Sequence, residues 1–194
     1  MGDPIRLVVG LGNPGREHAA TRHNAGFWFV DRLAEKLGVA FSHEARFAGF
    51  VAKDASGVRL VKPSTYMNLS GRAVAAVANF FAIAPSALLV AHDELDLLPG
   101  DARLKLGGGV AGHNGLKDIR AQLGTADFWR LRLGIGHPRD SILPQQQVVD
   151  YVLRLPLADE RRDIDDAIDR SLAVWPFLEA GDSERALTAL HTRP

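Results

Sequence analysis

The chain of 194 residues contains no cysteine. This absence excludes a disulfide framework, a thiol nucleophile and a metal site built from thiolates. No apolar run approaches the ~20 residues that a membrane-spanning helix needs, and residues 5–11 are too few for the apolar region of a signal peptide. From these absences we expect a cytoplasmic protein that has no contact with a membrane.

An excess of charge of either sign is also missing, since Lys plus Arg and Asp plus Glu both number 23. A balanced charge argues against indiscriminate nucleic-acid binding, although it is compatible with a local basic patch. Hydrophobic residues make up 46% of the chain, a value typical of globular proteins. The length is enough for one sizeable core, so we predict a single domain over residues 1–194.

A glycine-rich turn follows the first apolar run and matches the string G-x-G-x-x-G at residues 10–15. A dinucleotide site needs a helix that begins inside the glycines, because its N-terminal amides must face a pyrophosphate. Here Pro14 and the loop 16–24 delay the helix. The acid expected about 20 residues further on would be Asp31 or Glu35, which both fall inside a helical pattern. We therefore interpret the glycines as a turn and not as a nucleotide site.

Strand-like apolar runs alternate with helical patterns along the whole chain. Ser70 is predicted to cap the second helix, and Asp182 or Ser183 the last one. The predicted strands cover 5–9, 47–52, 58–62, 87–91, 103–106 and 128–135, and the helices cover 27–37, 70–81, 116–123 and most of 164–190. This alternation predicts an α/β fold with a mixed, mostly parallel β-sheet flanked by helices on both faces.

Polar side chains follow three of the predicted apolar strands. These side chains are Asn13, Asn68 and Asp93. In open α/β sheets, ligands bind outside the carboxyl ends of the strands, so the three side chains meet if their strands are parallel neighbours. The first loop adds His23, and the glycine-rich loop before the third helix adds Asn114. The sequence therefore predicts a pocket with one imidazole, one carboxylate and three amides.

These groups predict a definite chemistry. Asp93 can accept a hydrogen bond from one ring nitrogen of His23, which fixes the tautomer and leaves the other nitrogen as a general base. The amides do not titrate, but they can hold a carbonyl group and stabilise an oxyanion. Because the chain has neither cysteine nor a G-x-S-x-G turn, the predicted nucleophile is a water molecule activated by His23.

A metal site is the alternative raised by His92, Asp93, Glu94 and Asp96. The H-E-x-x-H motif is absent, however, and no second histidine lies at helical spacing from His92. We therefore interpret Glu94 and Asp96 as solvated surface charges and predict no metal.

Basic residues cluster on two further strands. Arg103 and Lys105 share a face of one strand, and Arg130 and Arg132 share a face of the next. On composition alone this is ordinary surface charge. If the two strands flank the pocket, the patch suits a phosphate backbone or a terminal phosphate.

Six sets of residues closely resemble, in order, the motifs of bacterial peptidyl-tRNA hydrolases. They are GLGNPG at 10–15, TRHNAG at 21–26, KPSTYMNLSG at 62–71, HDELD at 92–96, KLGGG and GHNGLKD at 105–109 and 112–118, and LRLGIGHP at 131–138. The resemblance spans nearly the whole chain. It implies a small monomeric α/β hydrolase without a cofactor, which cleaves the ester between a peptide and the 3′-terminal ribose of tRNA.

The resemblance also implies roles for individual residues. His23 matches the general base, and Asp93 matches its orienting partner. Residues matched to binding of the peptide or the reacting carbonyl are Asn13, His18, Tyr66, Met67, Asn68, His113 and Asn114, and those matched to the tRNA 5′-phosphate are Arg103, Lys105 and Arg132. Two features depart from the family pattern: His18 replaces a usual tyrosine, and the segment 139–147 replaces a short glycine-containing loop.

Two other classes of protein stay open at this point. A non-catalytic RNA-binding module would bind tRNA and leave an N-blocked aminoacyl-tRNA intact. A metal-dependent hydrolase would lose turnover to a chelator and regain it with a divalent ion.

Overall fold

Successive residues of the first strand enter two different apolar cores. The computed structural model describes residues 1–192, so the last two residues of the predicted domain lie outside the described residues. In strand β1 (Leu7–Gly10), Val8 belongs to one core, whereas Leu7 and Val9 belong to the other. Because side chains alternate between the faces of a strand, both faces of the sheet around β1 are covered.

Seven strands form one sheet in the order β2-β3-β4-β1-β5-β7-β6. β1 pairs in parallel with β4 and β5, and β5 pairs in parallel with β7, whereas the β2–β3, β3–β4 and β6–β7 pairs are antiparallel. The predicted mixed, mostly parallel sheet is therefore confirmed. The remaining strands are β2 (Ser42–Glu44), β3 (Gly49–Lys53), β4 (Arg59–Pro63), β5 (Leu88–Glu94), β6 (Ala102–Leu106) and β7 (Trp129–Gly134).

Helices cover both faces of the sheet, as predicted. The α-helices are α1 (Ala25–Leu37), α2 (Ser70–Phe80), α3 (Asn114–Leu123), α4 (Val148–Val152), α5 (Ala158–Ala173), α6 (Trp175–Glu179) and α7 (Ser183–His191). Short 3-10 helices span Arg22–Asn24, Ala45–Phe47, Met67–Leu69, Pro85–Ala87 and Pro138–Asp140. Residues of α1, α5, α6 and α7 enter one core, and residues of α2 and α3 enter the other. Among the helices of residues 1–192, none combines the length and the apolar composition that spanning a membrane requires.

The strand order sets the carboxyl ends of β4, β1 and β5 side by side. A close backbone contact then places the start of α1 over β1 and β5. A Cβ atom on Gly26 would overlap the carbonyl oxygen of Ala91 and the backbone of Leu11. Only glycine permits this approach, and it brings the segment just before α1, which carries His23, to the end of β5.

Two local predictions are wrong. β5 runs on to Glu94, so His92 and Asp93 lie inside a buried strand and not in the loop after it, because parallel pairing with β7 continues to that point. Ser70 does not cap α2, because it is already the first helical residue and its Oγ donates to the carbonyl of Met67. The other predicted cap is confirmed, since Asp182 accepts a hydrogen bond from the amide of Arg185.

Among the strands and α-helices, two short elements were not predicted. β2 has three residues and α4 has five. Such lengths are too short for an apolar period of 2 or 3.6 residues to stand out in a sequence. The second of them forms a wall of the candidate site.

Candidate active site

A cavity of about 760 Å³ lies where the ends of β4, β1 and β5 meet. It brings together most of the side chains that the sequence assigned to catalysis and peptide binding. The assigned residues that line it are Asn13, His23, Tyr66, Met67, Asn68, Asp93, His113 and Asn114. His18 is not among the lining residues. It packs edge-on against Tyr66, with ring centroids 6.4 Å apart, so it supports the rim of the cavity.

The short 3-10 helix Arg22–Asn24 positions His23 in this cavity. Arg22 anchors the helix from behind, because its buried guanidinium donates to the carbonyl of Tyr151 at 3.2 Å and to Glu160 at 2.7 Å. His23 Nδ1 donates a hydrogen bond of 2.9 Å to Asp93 Oδ2. The side chain of Asp93 is 2% exposed, so water cannot compete effectively for this bond.

The partner of Nδ1 determines the tautomer of His23. A carboxylate oxygen only accepts, so the proton of the neutral ring must reside on Nδ1. Nε2 then carries a lone pair, and it has no hydrogen-bond partner within residues 1–192. The ring is therefore arranged as a base whose acceptor nitrogen is available to a molecule in the cavity.

His113 is a second donor to the same carboxylate. Its Nε2 donates to Asp93 Oδ1 at 2.8 Å, and its Nδ1 accepts a longer bond of 3.4 Å from the amide of Leu116. His113 also caps α3. The sequence assigned His113 only to the peptide groove, and its contact with Asp93 depends on how the glycine-rich loop folds back.

Electrostatics support an ionised carboxylate between two imidazoles. Burial opposes the charge of Asp93, but His23 and His113 outweigh it and hold the pKa of Asp93 far below its usual range. Burial likewise opposes protonation of His23, but the charge and hydrogen bond of Asp93 raise the pKa of His23 above 6.5. Asp93 thus stays charged while His23 titrates.

His92 behaves differently, although it lies next to Asp93 in the chain. Burial is the largest cause that lowers the pKa of His92 to about 3, and the neighbouring His113 adds to it. His92 Nδ1 donates to the carbonyl of Asp93 at 2.8 Å. This ring therefore stays neutral near pH 7 and helps to hold the end of β5.

Asn24 fixes the position of Asn13. The Asn24 amide accepts from the backbone nitrogen of Asn13 at 2.8 Å and donates to its carbonyl at 3.0 Å. The side-chain Oδ1 of Asn13 in turn accepts from the amide of Met67 at 2.7 Å. Because Oδ1 is occupied, Asn13 presents its NH₂ donor as the unused group. No pattern in the sequence pointed to Asn24 beyond its place beside His23.

The other two amides stand at the starts of neighbouring helical segments. Asn68 lies in the 3-10 helix before α2, and Asn114 is the first residue of α3; both are exposed to the cavity. The amide of Gly71 donates to Asp118 at 2.8 Å and ties α2 to α3. This link joins the two helices that begin beside the asparagines.

An apolar wall closes another side of the cavity. It consists of the helix α4 and the residue after it, and its lining residues are Val148, Val149, Val152 and Leu153. Tyr151 of the same helix is buried and donates to the carbonyl of Ile135 at 2.6 Å, which attaches the wall to the end of β7. Apolar side chains here suit side chains of a bound peptide.

The predicted basic patch lies beside the cavity on one face of β6 and β7. The antiparallel register sets Arg103 opposite Arg132, and Lys105 opposite Arg130. A second cavity of about 300 Å³ is lined by Lys105, Arg130 and Arg132, but not by Arg103. The predicted clamp residues are therefore close together, with Arg103 at the margin.

Glu94 is not the solvated surface charge that the sequence suggested. It is buried, and its Oε1 accepts a 2.6 Å hydrogen bond from Arg132 Nε. The strand β5 buries Glu94 next to β7, where the guanidinium compensates its charge. Asp96, by contrast, is exposed as predicted.

Arg130 has a structural task that the sequence did not indicate. It is 3% exposed, and its guanidinium donates to the carbonyls of Gly108 and Gly109. These contacts tether the glycine-rich loop that ends in His113 and Asn114. The basic face and the main cavity thus share one loop.

The four ligands that the sequence suggested, His92, Asp93, Glu94 and Asp96, do not form a cluster with one another in the part of the chain that the structure describes. The group that could hold an ion there is His23, Asp93 and His113, whose donor atoms lie within 4.8 Å of one another.

Comparison with known proteins agrees with this arrangement. The family model of peptidyl-tRNA hydrolase matches residues 7–194. The chain is 59% identical over 191 residues to the peptidyl-tRNA hydrolase of Aromatoleum aromaticum, covering 97% of this chain and 95% of that protein. It is 58% identical over 195 residues to that of Bordetella avium, covering 99% and 94% respectively.

A solved structure has the same fold. The peptidyl-tRNA hydrolase from Acinetobacter baumannii is similar with a TM-score of 0.90 and 46% sequence identity, covering 96% of this chain and 94% of that one. Both the family model and the relatives extend over nearly the full length. The chain therefore belongs to the peptidyl-tRNA hydrolase family.

Proposed function

We propose that the chain hydrolyses the ester between an N-blocked peptide and the 3′-terminal ribose of tRNA, with water activated by His23. The observation that carries this proposal is the 2.9 Å hydrogen bond from His23 to the buried Asp93 in the main cavity. It supplies a base with the correct tautomer at a place where a substrate can reach it.

The reaction follows from this arrangement. His23 Nε2 accepts a proton from water as the water oxygen attacks the ester carbonyl, and the charge of Asp93 stabilises the imidazolium. The carbonyl oxygen becomes an oxyanion. When the intermediate collapses, the carbon–oxygen bond to the ribose breaks and the imidazolium returns the proton to the 3′-oxygen. The products are a free carboxylic acid and a free tRNA.

The amides serve the substrate in this proposal. The NH₂ group of Asn13, whose oxygen is occupied by Met67, donates to a carbonyl oxygen of the peptidyl group. Asn68 and Asn114 bind peptide backbone or the developing oxyanion, since neutral donors held in place favour the charged transition state without titrating. Tyr66, Met67 and His113 line the path of the peptide, and His18 supports Tyr66.

The basic face binds the tRNA in the same proposal. Lys105 and Arg132 hold the 5′-phosphate at the acceptor end, and Arg103 assists from the margin. Cation–phosphate contacts of this kind position a nucleic acid independently of its sequence. The proposed enzyme acts as a monomer in the cytoplasm, which sedimentation of the purified chain and fractionation of cells would test.

Ester cleavage of an N-acetyl-aminoacyl-tRNA in the presence of a chelator is the experiment that tests the proposal. The chain should release free tRNA at an undiminished rate, and His23→Ala should bind tRNA but lose turnover. The matched control is His43→Ala, because His43 is exposed on the edge strand β2. Binding without cleavage by the unmodified chain would favour an RNA-binding module. Loss of turnover to the chelator, with recovery on adding a divalent ion, would favour a metal-dependent hydrolase.

A further inference from the structure

The triad of His23, Asp93 and His113 has the composition of a transition-metal site. Two imidazoles and one carboxylate are ligands that Zn²⁺ accepts, with a fourth position open to water. The three side chains are 13%, 2% and 10% exposed, in that order, and their donor atoms lie within 4.8 Å of one another. We propose that this triad is an inhibitory Zn²⁺ site. The inhibitory part rests on the proposed function, whereas the binding part does not.

Binding of the ion requires two adjustments of the geometry. Zinc–ligand distances near 2.0 Å and tetrahedral angles place ligand atoms about 3.3 Å apart. The present separations are 2.9 Å from His23 Nδ1 to Asp93 Oδ2 and 2.8 Å from His113 Nε2 to Asp93 Oδ1, so each imidazole faces its own carboxylate oxygen. An ion bound between the two carboxylate oxygens would widen each of these separations by about half an ångström. It would also draw together the donor atoms that now lie farthest apart, up to 4.8 Å, by up to about 1.5 Å. The main cavity gives the ion an entry path, because all three residues line it.

The position of the protons explains why the ion would inhibit. Both imidazoles now donate to Asp93, so Zn²⁺ must take the lone pair of His23 Nδ1 after the ring proton has moved to Nε2. The neutral ring neither gains nor loses a proton in this exchange. It does lose its acceptor at Nε2, which then donates instead of accepting. A water molecule in the cavity would then have no base to accept its proton.

The same exchange at His113 has a modest cost. Its Nε2 would bind the ion and its Nδ1 would carry the proton, so the 3.4 Å contact with the amide of Leu116 would be lost. This contact is long for a hydrogen bond and correspondingly weak. The exchange therefore does not prevent binding.

Titration of the purified chain with Zn²⁺ against a fluorescent chelator, without tRNA, tests the binding. One ion should bind per chain. His113→Gln should weaken binding by at least about tenfold, by comparison with the sensitivity of metal sites to their supporting ligands. Gln can still donate to Asp93 but is a poor zinc ligand. His43→Ala and His137→Ala are the controls, because His43 is remote and His137 lines the same cavity outside the triad. Equal affinity in the unmodified chain and His113→Gln would overturn the site.

Turnover of the chain loaded with one equivalent of Zn²⁺ tests the inhibition. It should fall by at least about tenfold and recover on adding a chelator, and His113→Gln should lose a much smaller fraction of its own turnover. Turnover that rises with Zn²⁺ would overturn the inhibitory role. Tight binding at the triad with unchanged turnover would also overturn that role, and it would locate the failure in the assignment of His23 as the base.

Discussion

His23 and Asp93 are 70 residues apart in the chain, yet they share a hydrogen bond of 2.9 Å. Two packing features cause this meeting. β1 and β5 are parallel neighbours, and Gly26 lets the backbone at the start of α1 rest on the end of β5. A side chain larger than hydrogen at Gly26 would lift the segment that carries His23. The hydrogen bond on which the proposed chemistry depends is thus a consequence of strand order and one close backbone contact.

The pH dependence of kcat/KM should show an acid limb set by His23. The proposed mechanism requires the neutral ring, and Asp93 raises the pKa of His23 above 6.5. Activity should therefore rise with pH and reach its plateau only above that value. In Asp93→Asn the pKa of His23 should fall, so the limb should move to lower pH while the plateau falls by roughly 10²–10⁴-fold. A limb that stays in place in Asp93→Asn would show that another group is titrating.

The stability of the fold in mild acid should depend on His92. The pKa of His92 is lowered to about 3 in the folded chain, whereas the unfolded chain takes up the proton near pH 6.5. Between these values the unfolded state binds more protons, so His92 makes stability fall as the pH drops. His92→Gln can still donate to the carbonyl of Asp93 but does not titrate. It should reduce the slope of the unfolding free energy against pH by an amount that corresponds to at most one bound proton. Urea unfolding at pH 4 to 7 measures this slope, and an unchanged slope would contradict the assignment.

The position of the glycine-rich loop should depend on both hydrogen bonds that the Arg130 guanidinium donates to it. Arg130→Lys retains the charge but cannot reach both Gly108 and Gly109 in the same geometry. We expect faster hydrogen exchange of amides in 108–113 and lower kcat/KM, with a loss of stability of about 1–3 kcal/mol for buried groups left unpaired. Arg120→Lys is the control, since Arg120 is exposed on α3. Equal exchange in both variants would mean that the loop is held by other contacts.

The proposed phosphate clamp should be specific for the end of the tRNA. Lys105→Ala removes a charged donor from the basic cavity and should raise KM about tenfold for substrate with a 5′-phosphate, as expected for a charge-assisted bond. The same variant should have little effect on substrate with a 5′-hydroxyl. Lys53→Ala is the matched control, since Lys53 is exposed on β3. A loss that is equal for both substrates would indicate general attraction of the RNA backbone.

The sheet was predictable because β1 and β5 are apolar on both faces, and such runs are typical of buried parallel strands. The convergence of Asn13, Asn68 and Asp93 followed from the rule that ligands bind at strand ends. Their roles with His23 came from the family resemblance as well. These roles stay predictions until the variants are measured.

The remaining features depend on tertiary contacts that no local pattern encodes. The second donor to Asp93, His113, reaches it from the end of the glycine-rich loop, which Arg130 ties back. Glu94 appeared as a surface charge because a sequence does not show that Arg132 lies beside it on the neighbouring strand. The wall at 148–153 has too few residues for a helical period. Each of these residues is polar or lies in a short element. Whether such a residue is buried depends on the residues that pack against it in the fold and not on its own type.

The most direct test of the central claim is the single-turnover rate of His23→Asn on an N-acetyl-aminoacyl-tRNA with chelator present. The Asn amide can still donate to Asp93 as His23 Nδ1 does, but it has no basic nitrogen in place of Nε2. We predict a rate lower by about 10²–10⁴-fold with unchanged affinity for tRNA. Cleavage at nearly the full rate would contradict the account, because the water would then be activated by some other group.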